Sequence, residues 1–271
     1  MLPPVSTILP QIRQQRKSVL LLWLLAIGGL LLYAGFTFHL CLLALGYRYQ
    51  LDYGEGLVLH HALRLAQGQS IYKNLDSFPY IFSNYPPLFP ALVSPLIAVT
   101  GASFLPGRVV AVAAAIGLTV VLYALVRRAG GGRLAGGVAA LAFVGSPYIY
   151  HWAPLFRIDL PALLLTTLGI LVLASGISLR RLWLAALLFV LAIYTKQSYV
   201  AAPLAAVVYL LFSNRRAART LMAWLLVLGL LPFLALEAVT NRAFSFGLFA
   251  ANVNPFRLSL LLDQARDFVV T

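Results

Sequence analysis

Long apolar runs separated by short basic turns set the pattern of this chain. The runs fall at 19–46, 107–127, 134–151, 160–177, 181–195, 199–213 and 220–240. Most approach the ~20 residues a helix needs to cross the hydrocarbon of a bilayer. They predict an all-α polytopic bundle of about seven spans. The fifth and sixth runs are short and predict a hairpin that does not cross fully. Between the first and second runs lies a long segment, 47–106, with its own apolar stretch at 88–100. Pro86, Pro87, Pro90 and Pro95 suit a broken helix there better than a simple span. The stretch therefore reads as interfacial or re-entrant.

The composition agrees. The chain has 271 residues, 62% hydrophobic and 10% charged, against about 25% charged in soluble domains. The net charge of +13 does not point to nucleic acid, because the basic residues are dispersed in short turns and form no polar face. They are a topology signal. Arg13, Arg16 and Lys17, then Arg127, Arg128 and Arg133, then Arg180 and Arg181, then Arg215, Arg216 and Arg219 mark four turns. Seven spans put all four inside, as the positive-inside rule asks. The seven acids, Asp52, Glu55, Asp76, Asp159, Glu237, Asp263 and Asp267, then all fall outside. Counting 88–100 as a crossing would break this segregation. Expected from it are a basic cytoplasmic tail at 1–18, an uncleaved anchor, a transmembrane module at 19–240 and an outer-side tail at 241–271. That tail reads as the start of a longer segment. The single Cys41, inside an apolar run, excludes an internal disulfide and a cysteine zinc cluster.

Carboxylates at a bilayer edge are costly and are candidates for function. Asp52 and Glu55 follow the first run in Asp52-Tyr53-Gly54-Glu55-Gly56, ahead of an amphipathic pattern from Glu55 to about Gln67. Val58, Ala62 and Leu65 form its apolar stripe, and His60, Arg64 and Gln67 its polar one. Their spacing also suits a helix cap, with Asp52 as N-cap and Glu55 at N3. Asp159, in Arg157-Ile158-Asp159-Leu160-Pro161, opens the fourth run and is expected to cap it. Tyr148, Tyr150 and Trp152 before it fit an interfacial belt. Lys196 ends the fifth run, where it either snorkels or pairs with a phosphate or Asp159. Arg108 and Arg157 are further outer cations, headgroup anchors or phosphate ligands. His39 is expected to be packed within its span. No histidine spacing is specific for metal; Asp52, Glu55, Asp159 or a histidine are the residues that would hold a divalent cation.

Taken in order, these motifs resemble the glycosyltransferase C (GT-C) superfamily, which includes protein O-mannosyltransferases and aminoarabinose lipid A transferases. The resemblance rests on Asp52-Tyr53-Gly54-Glu55-Gly56, Gly68-Gln69-Ser70-Ile71-Tyr72, Asn84-Tyr85-Pro86-Pro87-Leu88-Phe89, Arg108 and the Arg157–Pro161 motif, over most of residues 15–240. It implies a polyprenyl-phosphate sugar donor used at the outer face of the cell membrane, with Asp52 as base and an unidentified acceptor. Asp159 would orient the base or the acceptor. Lys196 or an arginine would steady the lipid phosphate. Two departures stand out. Tyr85 occupies the place where some aminoarabinose transferases carry a phosphate-contacting lysine, and two residues separate acids that are usually adjacent. The competing readings are a transporter or lipid flippase, and a non-catalytic scaffold derived from a transferase.

Overall fold

The computed structural model describes residues 5–73, 80, 81, 83–250 and 257–270. Among them the chain is an all-α helix bundle with no strand. Its helices are α1 (Val5–Gly46), α2 (Tyr53–Ala66), α3 (Leu88–Thr100), α4 (Leu105–Arg128), α5 (Arg133–Val144), α6 (Pro147–Trp152), α7 (Asp159–Ala174), α8 (Leu179–Thr195), α9 (Ala201–Ser213), α10 (Arg215–Val239), α11 (Ala243–Leu248) and α12 (Leu258–Val270). Among the described residues three segments are long and apolar enough to cross a membrane: 17–46 within α1, α4 and α10.

Local chemistry sets the helix ends. Pro106 stands in the first turn of α4, where its missing N–H costs nothing, and Arg127 and Arg128 face the negative end of the helix dipole. Ser178 and Asn214 cap α8 and α10 by accepting from the N–H groups of Arg181 and Ala217. The third run is not the continuous helix expected over 134–151. It breaks between α5 and α6, because Pro147 has no N–H to give α5 and Ser146 caps a new helix by accepting from Ile149. The stretch 88–100 is not broken: α3 is one 13-residue helix that starts after Pro87 and keeps Pro95 inside it. α1 begins at Val5, inside the basic stretch, and continues through the first apolar run. His39, expected to be packed, is exposed on α1.

The centre of the bundle is α4, α7, α8 and α10, with α5 against α4 and α9 against α10. The expected α8–α9 hairpin is loose, because α8 packs mainly on α7 and α10. Small residues bring α7 and α8 close. A Cβ on Gly169 would stand 2.7 Å from the Phe189 ring, and Ala185, Ala186 and Ala192 on α8 are fully buried. This is how helices associate where water supplies no driving force. At the end of the bundle where α1 finishes, α2 lies against α3. Val58 and Ala62 meet Phe89, Val93 and Ile97, and the same cluster takes in Phe156 and Ile158 from the segment before α7. That packing brings the loop after α1 and the start of α7 to one place.

Candidate active site

Asp52 is the N-cap of α2. Its Oδ2 accepts from Gly54 N at 2.9 Å and from Arg157 Nη1 at 2.7 Å. Among the described residues Oδ1 makes no hydrogen bond, and the side chain keeps 18% of its surface. Gly54 is required by this geometry: a Cβ there would overlap the Arg157 guanidinium. The guanidinium is held further by aromatic rings, with its carbon 5.2 Å from the Trp152 centroid and 5.9 Å from that of Tyr53. Trp152 is thus a platform for the Arg157 guanidinium.

From Arg157 a row of alternating charge continues. Arg157 Nε lies 3.7 Å from Asp159 Oδ2, and Lys196 Nζ lies 2.5 Å from Asp159 Oδ1. Asp159 does not cap α7. It is the first helical residue, after Ile158, and its carboxylate turns to Lys196 instead. Lys196 ends α8 and stays 26% exposed. Its partner is Asp159, so it does not simply snorkel. Tyr199 adds a bond from its hydroxyl to the Asp159 carbonyl at 3.1 Å. The structure therefore joins Asp52, Arg157, Asp159 and Lys196 into one partly open row contributed by α2, the 153–158 segment, α7 and α8.

Glu55 and Arg108 are brought together elsewhere, with both side chains fully buried. Glu55 Oε1 accepts from Arg108 Nε at 2.9 Å and Phe156 N at 2.7 Å. Its Oε2 accepts from Arg108 Nη2 at 2.8 Å and Leu51 N at 2.6 Å. Arg108 gives its remaining N–H groups to the carbonyls of Ala44, Tyr47 and Tyr49. All five donors of the guanidinium are used, which leaves none for a phosphate in this arrangement. The pair ties the end of α1 to α2, α4 and the segment that carries Arg157. Burial pushes the Glu55 carboxyl up, but the bonds from Arg108, Leu51 and Phe156 and the Arg108 charge outweigh it and hold the group below its usual value.

Tyr85 is half-buried against the Val58 cluster, and its carbonyl accepts from the Tyr72 and Ser83 hydroxyls at 2.7 and 2.9 Å. These two bonds hold the backbone directly before Pro86 and Pro87. The acids do not converge on a point that suits a divalent cation. Arg157 stands between Asp52 and Asp159, and Glu55 is turned away. Among the described residues no group of three His, Cys, Asp or Glu is placed to hold a metal. Asp76 lies outside the described residues.

Beside the row, an apolar groove of about 760 Å³ runs between α8, α9 and α10. Val190, Tyr194, Leu204 and Leu226 line it, and Gln197 and Pro86 lie at the end near Lys196. Sequence reasoning gave Gln197 no role. Its only signal is its place directly after Lys196.

Residues 84–237 match a family model described as dolichyl-phosphate-mannose-protein mannosyltransferase. The match takes in Tyr85, Arg108, Arg157, Asp159 and Lys196, and begins after Asp52 and Glu55. No curated protein and no solved structure matches the chain.

Proposed function

Because the chain belongs to the dolichyl-phosphate-mannose-protein mannosyltransferase family, membrane glycosyltransferases of the GT-C type, we propose that it transfers a sugar from a polyprenyl phosphate to an acceptor hydroxyl. The site lies at the outer face of the cell membrane. Asp52 is the base. The observation that carries this is the carboxylate geometry: Oδ2 is pinned by Gly54 and Arg157, while Oδ1 is left for a substrate proton.

In a single displacement, the acceptor oxygen loses its proton to Asp52 and attacks the anomeric carbon. The bond from that carbon to the phosphate oxygen breaks, and its electron pair leaves with the polyprenyl phosphate. Configuration at the anomeric carbon inverts. One base near the acceptor and cations near the departing oxygen supply what this reaction needs. Lys196 and Arg157 are those cations, and Asp159 holds both in place. Glu55 and Arg108 are positioning residues, since neither presents a free group to substrate. The apolar groove beside Lys196 takes the isoprenoid tail, which keeps sugar and phosphate at the polar row and the chain among lipids.

The test is Asp52→Asn in purified protein, with dolichyl-phosphate mannose as donor and release of dolichyl phosphate as readout. Asn caps a helix nearly as well as Asp but cannot take the proton. The variant should fold, bind donor and lose turnover by roughly 100- to 10,000-fold. Turnover near the parent value in a folded variant would reduce Asp52 to a helix cap.

A further inference from the structure

The polar row and the apolar groove meet at Gln197. Its Nε2 donates to the backbone carbonyl of Asn84 at 2.9 Å. That carbonyl can only accept, so the amide orientation is fixed and Oε1 faces the other way. Oε1 is buried and has no hydrogen-bond partner among the described residues. Gln197 also lines the groove, and Lys196 beside it is bonded to Asp159. A buried acceptor without a donor is costly, and its cost is relieved by a ligand that brings an O–H or N–H.

We propose that Gln197 is a specificity residue that accepts a hydrogen bond from a hydroxyl of the donor sugar. The inference rests on the polyprenyl-phosphate donor proposed above and says which part of it is read here. The isoprenoid chain has no donor. The phosphodiester linking sugar and lipid carries one negative charge at neutral pH and no O–H. Sugar hydroxyls are the donors such a molecule can offer to Oε1. Lys196 then neutralises the phosphate while Gln197, one residue on, tells a glycosylated lipid from the bare lipid phosphate. Product release follows from the same contact, since the departing polyprenyl phosphate no longer carries the sugar hydroxyl that held it.

Binding of radiolabelled dolichyl-phosphate mannose and of dolichyl phosphate to the chain in lipid nanodiscs, without acceptor, tests this. Gln197→Leu should weaken the mannosyl lipid by about 10-fold or more and leave dolichyl phosphate within about 2-fold. Gln197→Asn keeps an amide but is one methylene shorter. It serves as the second variant should Leu fail to fold, and should show the same selective loss. Unchanged affinity for the mannosyl lipid overturns the assignment. So does an equal loss for both lipids, which would give Gln197 to the phosphate or to the groove wall. A parent chain that binds neither lipid sinks the donor reading itself, and the Gln197 assignment with it.

Discussion

Asp52 and Glu55 stand three residues apart in one motif and have opposite environments. Among the described residues one Asp52 oxygen accepts no hydrogen bond and the side chain keeps 18% of its surface, whereas both oxygens of Glu55 are filled and buried. Depth explains the difference. Glu55 sits on the buried face of α2, where a carboxylate persists only with a full set of donors. Its folded-state proton affinity is lower than that of the free side chain. The stabilisation it gives is therefore complete above the usual value of about 4.5, and is lost as pH falls through the lower folded value. Glu55→Gln should cost about 3–5 kcal/mol at neutral pH, since it leaves Arg108 buried without its partner charge. Thermal melts in detergent should show the gap to the parent narrowing as pH drops below that range. A gap independent of pH would mean that shape, not charge, carries the effect.

At the scale of elements, the site depends on two helix ends meeting. The first residue of α7 and the residue that ends α8 are joined through Asp159 and Lys196, and close packing along α7 and α8 brings those ends together. Lys196 is partly exposed, so its worth to stability is small and its loss should appear in binding. Lys196→Ala should weaken dolichyl-phosphate mannose binding more than Lys196→Arg, which keeps the charge but not the ammonium geometry. Equal binding by parent and both variants would leave the lysine as a partner of Asp159 alone. The third apolar run divides into two helices, α5 and α6. Its apolar residues continue past Gly145, but Ser146 and Pro147 start a new helix whatever the hydrophobicity around them.

At the scale of the whole molecule, the charged site gathers at the end of the bundle where α1 and α8 finish and α4 and α7 begin. Arg127 and Arg128 end α4, and Arg215 opens α10, at the opposite ends of those helices. The segregation of arginine turns predicts which end faces out. With Cys41 replaced, single cysteines at Gln69, Gly131 and Asn214 should divide cleanly. An impermeant thiol reagent on intact cells should label position 69 alone. Labelling at 131 or 214 would overturn the seven-span orientation.

Hydropathy alone determined that the chain is a helical membrane protein, because ~20 apolar residues in a row have few other stable arrangements. It also gave most helix limits to within a few residues, since caps, prolines and glycines act locally. The motif order pointed to Asp52, Glu55, Arg108, Arg157 and Asp159 together, with Tyr85 in the Pro-Pro element, and Lys196 was added by its place at the end of the fifth run. Which acid stays open was decided only by the tertiary structure. Asp52, Glu55 and Asp159 are equally acidic in sequence, and what separates them is packing against residues 37 to 105 positions further along the chain. Arg108 reaches Glu55, and Arg157 reaches Asp52 past a glycine that has no side chain to block it. Gln197 was hidden for the same reason. A glutamine after a lysine says nothing until Asn84, far earlier in the chain, turns its carbonyl toward it and leaves its own oxygen without a donor among the described residues.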